Sequence, residues 1–288
     1  MDMETGLTDK VVMITGASGG IGRAIADEFA AEGAQLALLG YRQFNELKKR
    51  TAGKNWADRA LCVRADMSNA GDLDRAVSQI VDRFGRIDIC VANAGIWPPE
   101  DVPLHKLSEA RIREVVDVNL LGAVWTARAF LAALAKSGPR EDGDGASLVF
   151  TGSTAGQFGE SNHVDYSLSK AGLYGLVRSL KNEIVHLDQY GRVNMVEPGW
   201  TVTEMARPAL ENPNNITRAL GTMSVRQLAR AKDIARSILF LSSPILARHL
   251  SGQIITAAGG MEGRQLWEAE DIDVAEVRSR VAAEDTAN

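Results

Sequence analysis

Tyr166 and Lys170, four residues apart in Tyr-Ser-Leu-Ser-Lys, make a pair of residue types that can do chemistry in this 288-residue chain. The i, i+4 spacing puts both side chains on one face of a helix, an ammonium beside a phenol. A free tyrosine ionises near pH ~10 and is a poor proton carrier at neutral pH. A fixed cation favours the phenolate and moves that value toward the range of a working acid–base group. The plain alternative is a surface tyrosine beside a surface lysine, and the pair alone does not exclude it.

A second candidate lies near the start, in Thr15-Gly16-Ala17-Ser18-Gly19-Gly20-Ile21-Gly22. Small residues let the backbone turn tightly and let a phosphate approach a helix N-terminus, where free N–H groups favour an anion. The spacing is Gly-x3-Gly-x-Gly, with Gly16, Gly20 and Gly22 at its key places. No Gly-Lys-Ser/Thr follows, so it is not the phosphate loop of NTPases. The same residues satisfy G-x-S-x-G, which would make Ser18 the nucleophile of a hydrolase. That elbow needs earlier strands and an oxyanion loop before it, and only about a dozen residues precede the octet.

The elements that must carry these residues alternate. Short aliphatic runs at Val11–Ile14, Leu36–Leu39, Ala60–Val63, Ile87–Ala92, Ser147–Thr151, Val193–Val196 and Gln253–Thr256 read as strands. Between them lie stretches of helical period, such as Ile21, Ile25 and Phe29, closed by a glycine at Gly33. Near-continuous apolar strands alternating with helices predict an α/β fold: a single doubly wound Rossmann-like domain with about seven parallel strands and helices on both faces, over residues 9–262. Two segments interrupt it. Lys136 to Gly145 is polar and rich in Gly and Pro and reads as an exposed loop. Glu204 to Arg230, with Pro208 and Pro213, reads as a substrate lid. Residues 263–288 form a charged tail expected to dock on a neighbouring subunit or fray.

Lys and Arg total 32 against 37 Asp and Glu, a formal charge of -5, which argues against a nucleic-acid or anionic-membrane partner. Cys62 and Cys90 are too few for a disulfide framework or a thiolate zinc site and read as small core residues in a reducing compartment. His105, His163, His186 and His249 lack ligand spacing and read as surface or loop imidazoles, so no metal is implied. The acidic start, Met1-Asp2-Met3-Glu4, is unlike a leader. The apolar stretch Leu120 to Ala135 is broken by Arg128 and is too short to span a bilayer. The expected location is the cytoplasm.

Taken together, the motifs resemble the short-chain dehydrogenase/reductase family from Lys10 to about Gly260. The octet is similar to its TGxxxGxG cofactor motif. Asp66, followed by Met67, is similar to its acidic residue near the adenine, and Ala92-Asn93-Ala94-Gly95 to its NNAG turn. Asn119 matches the asparagine of its catalytic tetrad, and Ser153 stands 13 residues before Tyr166, the family's usual interval. Pro198-Gly199-Trp200-Thr201-Val202-Thr203 matches its PGxxxT turn at the nicotinamide end. The chain departs from the family in the first residue of the NNAG turn and in Ala257-Ala258 before Gly259-Gly260, where an acid is common.

The resemblance implies an NAD(P)-dependent oxidoreductase of carbonyls or secondary alcohols, with Asn119, Ser153, Tyr166 and Lys170 as catalytic residues. The nicotinamide carries the hydride, and a donor is needed where the alkoxide charge develops. Ser153 would hold that oxygen and Tyr166 deliver the proton. Lys170 would lower the Tyr166 pKa and bind the ribose, and Asn119 would hold a relay water. The alternative is a non-catalytic sensor or scaffold that only binds the nucleotide, which has no need of a proton-transfer pair. Trp97, Phe158 and Trp200 leave strand C-termini and suggest an apolar or ring-bearing substrate. At the end of the second strand, Gly40 stands where NAD-type members carry an acid. Tyr41 could stack on the adenine, and Arg42 and Ser18 could bind a 2′-phosphate, which favours NADP(H) over NAD(H). The family habit and the apolar helices Val118–Leu134 and Leu168–Leu187 point to a homo-oligomer, a tetramer.

Overall fold

A computed structural model of the chain describes residues 4–263 and 265–285. Met1–Met3, part of the acidic start, lie outside the described residues. The first half runs β1 (Val11–Ile14), α1 (Gly20–Ala31), β2 (Gln35–Gly40), α2 (Phe44–Ala52), β3 (Ala60–Arg64), α3 (Ala70–Phe84) and β4 (Ile89–Ala92). Then come α4 (Glu109–Val116), α5 (Gly122–Ser137), β5 (Ser147–Thr151), α6 (Thr154–Phe158), α7 (Val164–Ala171), α8 (Leu173–Glu183) and β6 (Arg192–Pro198). The remainder is β7 (Thr201–Val202), α9 (Arg207–Leu210), α10 (Pro213–Leu220), β8 (Ala229–Arg230), α11 (Ala231–Ser242), β9 (Ile254–Ala257) and α12 (Val274–Asp285).

Seven strands form one parallel sheet in the order β3-β2-β1-β4-β5-β6-β9. These are the seven strands expected from the apolar runs. Alternation along β1 sends Val11 and Met13 to one face and Val12 and Ile14 to the other. The first face is covered by Leu73 and Ile80 of α3, Phe130 of α5 and Val177 of α8. The second is covered by Ile25 and Phe29 of α1 and by Ile234, Ile238 and Leu241 of α11. Both faces being dry explains why the strands read as continuous apolar runs. The winding reverses between β1 and β4, which opens a crevice at the carboxyl ends of those two strands.

The helix between β4 and β5 differs from expectation. It runs unbroken from Glu109 to Ser137, 29 residues, long and apolar enough by length and composition to cross a membrane, but half of its most apolar window is buried against the core. Arg128 faces outward to Asp74 at 2.6 Å. Its middle, Asp117–Leu121, is π-helical: the Gly122 N–H bonds the Asp117 carbonyl, five residues back. The loop after it is tied down. Buried Lys10 reaches Asp142 at 2.9 Å and Asp144 at 2.7 Å, and Arg140 bonds Asp88 and Asp142.

β7 and β8 pair at the two ends of the lid segment and hold it as a closed excursion containing α9 and α10. Among the tail's described residues, Ile272 and Val277 pack on Ile216, Leu220, Met223 and Leu228 of the 204–230 segment of the same chain in a third apolar cluster.

Candidate active site

The crevice at the switch point is a cavity of about 910 Å³. Its floor is built by stitching three strand ends together. The Thr15 hydroxyl, just past β1, accepts from the N–H groups of Asn93 (3.0 Å) and Ala94 (3.1 Å), just past β4. The Asn93 side chain donates to the Thr15 carbonyl at 3.1 Å and accepts from the Thr151 hydroxyl at 3.2 Å, which brings in the end of β5. Gly16 has φ +65°, and a Cβ there would stand 2.7 Å from the Ala94 Cα. A Cβ on Gly22 would stand 2.2 Å from the Gly16 carbonyl oxygen, so the first turn of α1 rests directly on the loop. The sequence chose glycine where any side chain would push the loop and helix apart.

All the residues expected to touch a cofactor line this cavity: Gly16, Ser18, Gly20, Ile21, Gly22, Tyr41, Arg42, Asp66, Met67, Asn93, Gly95, Tyr166, Lys170, Pro198, Gly199, Thr201 and Thr203. At the far end of β2, a Cβ on Gly40 would meet Leu47 Cδ2 at 3.0 Å and Ser18 Oγ at 3.6 Å. Tyr41 is 43% exposed, with the Arg64 guanidinium over its ring at 5.6 Å. Arg42 is not idle: its Nη2 bonds Glu114 Oε1 at 2.7 Å across the cavity rim. Asp66 accepts from the Ser68 N–H (3.0 Å) and hydroxyl (2.7 Å). The residues fit a dinucleotide: a glycine cradle at the head of a helix, a β2 that ends on glycine rather than on an acid, and a lysine at the other end.

The four tetrad candidates converge. Ser153 is the N-cap of α6, accepting from the Ala155 N–H at 3.2 Å. Lys170 is buried and donates to the Thr151 carbonyl at 2.9 Å, with its Nζ 5.8 Å from the centre of the Tyr166 ring. Asn119 sits in the π-helical turn, where its Oδ1 accepts from the Ile96 N–H at 2.8 Å and its Nδ2 donates to the Ile96 carbonyl (3.0 Å) and Ser169 Oγ (3.2 Å). It does not itself line the cavity. Its Oδ1 and Lys170 Nζ face each other across Gly95, where a Cβ would be 3.3 Å from one and 3.4 Å from the other.

Electrostatics depart from the sequence reading in one respect. Burial raises the Tyr166 phenol above its ordinary value, and the hydrogen bond with Ser153 only works against that. Burial pushes the Lys170 ammonium down to about 8. Desolvation thus favours the neutral form of both members of the pair.

Of the aromatic residues expected at the substrate end, Trp97 and Trp200 line the cavity. Phe158 does not: it ends α6 and points outward, 44% exposed. Trp97 stands edge-on to Tyr166 at 4.6 Å between ring centres. Its other neighbour was missed by the sequence. His163 is buried rather than a surface imidazole, 4.0 Å from the Trp97 ring. It is held by Asp101 at 2.8 Å, and Arg111 lies 3.4 Å from it while bonding Asp165 at 2.9 Å. A lone histidine three residues before Tyr166 carries no spacing signal; only the fold shows that it backs the indole. Glu160, also missed, lines the same end.

Comparison with known proteins agrees with this geometry. The family model described as short chain dehydrogenase matches residues 10–214. The chain is 29% identical over 259 residues to a 3-oxoacyl-[acyl-carrier-protein] reductase of Synechocystis sp., covering 89% of this chain and 98% of the relative. It is 32% identical to an acetoacetyl-CoA reductase of the same organism, again covering 89% and 98%. Among solved structures, a 3-ketoacyl-(acyl-carrier-protein) reductase from Brucella melitensis complexed with NADH superposes with a TM-score of 0.78, 26% identity, and coverage of 88% of this chain and 98% of that one.

Proposed function

The chain belongs to the short-chain dehydrogenase/reductase family and is an oxidoreductase, and we propose that Asn119, Ser153, Tyr166 and Lys170 carry its chemistry on a ring-bearing carbonyl or secondary alcohol, with NADP(H). The observation that carries the reading is the meeting of the Ser153 hydroxyl, the Tyr166 phenol and the Lys170 ammonium at one end of a cavity whose other end is a glycine cradle.

When bound, the nicotinamide supplies or takes the hydride. In reduction, the Ser153 hydroxyl donates to the substrate oxygen, where negative charge develops, and the Tyr166 phenol gives it a proton. A neutral phenol is the right starting state for that step. Lys170 then refills Tyr166 from solvent, and the gap over Gly95, between Lys170 Nζ and Asn119 Oδ1, is the place for the relay water. Asn119 acts here as a positioning residue as well, since its amide clamps the Ile96 backbone and so holds the turn that carries Gly95 and Trp97. The neighbouring Trp97 and Trp200 walls favour an apolar or ring-bearing body.

NADP(H) is favoured because β2 ends on Gly40 rather than on an acid, while Ser18 and Arg42 stand at the same end, Arg42 with Glu114 beside it. Arg42 must turn from Glu114, an exposed pair worth little. The cytoplasm and a homotetramer follow from family habit, helped by exposed Val164, Leu168 and Val185 on one helical face region; light scattering at micromolar concentration checks the assembly.

The test is nucleotide titration by fluorescence, followed by absorbance at the nicotinamide band over a panel of ketones and alcohols. Turnover is expected, with a higher kcat/KM for NADPH than for NADH, and Arg42→Ala should narrow that gap. Tyr166→Phe should keep nucleotide affinity and lose orders of magnitude in kcat. Binding without turnover on the whole panel would mark a sensor instead, and near-normal turnover in Tyr166→Phe would remove the phenol from its role.

A further inference from the structure

We infer that Glu160 selects substrates that carry a hydrogen-bond donor, a hydroxyl or an ammonium group, on the part of the molecule remote from the reacting carbonyl. The inference rests on the carbonyl-reductase reading above and narrows its substrate class.

Glu160 lies in the short loop between α6 and α7 and is one of the residues that line the cavity, as are the apolar Trp97, Trp200, Ala206 and Ala209. The loop holds it in place from both sides. The Glu160 N–H donates to Ser167 Oγ at 2.9 Å, and the Glu160 carbonyl accepts from the His163 N–H at 3.1 Å. The backbone is therefore fixed on α7, the helix that carries Tyr166, and the carboxylate is aimed by the same element as the phenol.

Its charge is poorly answered. Among the described residues no donor lies within hydrogen-bond distance of the carboxylate, and the cation in ion-pair range is Arg218 of α10, at 3.7 Å and with a side chain 74% exposed. Three cations around the cavity are already engaged: Arg23 is joined to Glu204, Arg42 to Glu114, and Lys170 to the Thr151 carbonyl. Burial already raises the Glu160 carboxyl above its usual range, with Arg218 and His163 acting in the opposite direction. Its side chain is 29% exposed, so water satisfies it while the cavity is open.

A seated substrate removes that water. A purely apolar ring would leave the carboxylate desolvated and unpaired, the costly case for a buried acceptor. A substrate hydroxyl or ammonium would replace the water with a charge-assisted hydrogen bond. A site of this kind rejects the analogue lacking the donor because its own polar group is left bare. A substrate carboxylate at the same place would meet like charge.

The experiment compares cyclohexanone with its 4-hydroxy and 4-amino derivatives as substrates for reduction, in wild type, Glu160→Gln and Glu160→Ala. Wild type should show kcat/KM at least tenfold higher for one donor-bearing ketone than for cyclohexanone, and Glu160→Ala should bring the ratio near one. The arm that gains more identifies the donor. Glu160→Gln should keep a preference for hydroxyl and lose one for ammonium, since the amide accepts a hydrogen bond without a charge. Nucleotide titration of each variant confirms a folded cradle. Turnover of all three ketones with a wild-type ratio near one, or an unchanged ratio in a folded Glu160→Ala, overturns the inference and leaves the oxidoreductase reading standing. No turnover of any ketone with either nucleotide would overturn that reading and this inference together.

Discussion

Lys170 is held in a state that chemistry wants and stability does not. It is buried, it donates to the Thr151 carbonyl, and burial pushes its ammonium from 10.5 down to about 8. Between those two values the unfolded chain binds the proton that the folded chain has released. Stability from this group is therefore fully present above about 10.5 and is lost as the pH falls through about 8, leaving a constant penalty below. The shift corresponds to about 3 kcal/mol at neutral pH. Lys170→Met should consequently raise the unfolding midpoint of the nucleotide-free protein at pH 7, with the gain shrinking as the pH rises from about 8 toward 10.5. The same variant should lose turnover by orders of magnitude. Urea titrations at pH 7 and pH 10 check the first half; an equal gain at both would mean the charge is not what destabilises. Such an exchange of stability for function is common at active sites.

At the scale of elements, glycine decides how closely the cradle and its helix can meet. Gly22 lies in the first turn of α1, and an added Cβ would stand 2.2 Å from the Gly16 oxygen, backbone that cannot swing aside. Gly22→Ala should therefore tilt α1 off the loop, cost about 1–3 kcal/mol in denaturant unfolding, and weaken nucleotide binding more than tenfold. A variant with wild-type affinity would show that the close approach is not needed. Much of this architecture was legible in the residues. A sheet covered on both faces writes its strands as apolar runs, so all seven could be read, and the glycine octet, Tyr166 and Lys170 do line one cavity. Three features could not. The π-helical turn at Asp117–Leu121 changes which carbonyl each N–H meets but leaves the apolar pattern of the helix intact. β7 and β8 have two residues each, too few to show a period. Phe158 was placed by its distance from Ser153, yet one short turn of α6 aims it at solvent, while His163 and Glu160, isolated in sequence, come to the site only through the turn before α7.

At the scale of the molecule, the segment proposed as a lid lines part of the cavity, through Glu204, Met205, Ala206 and Ala209, and has a core of its own. The lid packs through Ile216, Leu220, Met223 and Leu228, a cluster separate from the two that cover the sheet. The tail completes that cluster. Ile272 and Val277 are buried in it, and the Trp267 indole donates to the Met223 carbonyl at 2.6 Å under the Arg226 guanidinium, 4.5 Å from its ring. Arg278 bonds the carbonyls of Leu210 and Glu211, at the end of α9. Trp200 packs against the same cluster on one side and lines the cavity on the other, so the tail's grip reaches the substrate through one indole. Fully burying a side chain such as Ile or Val contributes about 1.5–3 kcal/mol, and a lid of two short helices has little else to hold it. Truncation after Gly263 should leave the sheet and the glycine cradle intact and loosen the lid. The expected signature is a KM for the carbonyl substrate raised at least severalfold, nucleotide affinity changed far less, and new protease cuts within residues 204–230. The split is what distinguishes a clamp on the lid from general destabilisation, which would lower both affinities and the unfolding midpoint together. Unchanged KM and unchanged cleavage after truncation would show that the lid holds its own shape without the tail.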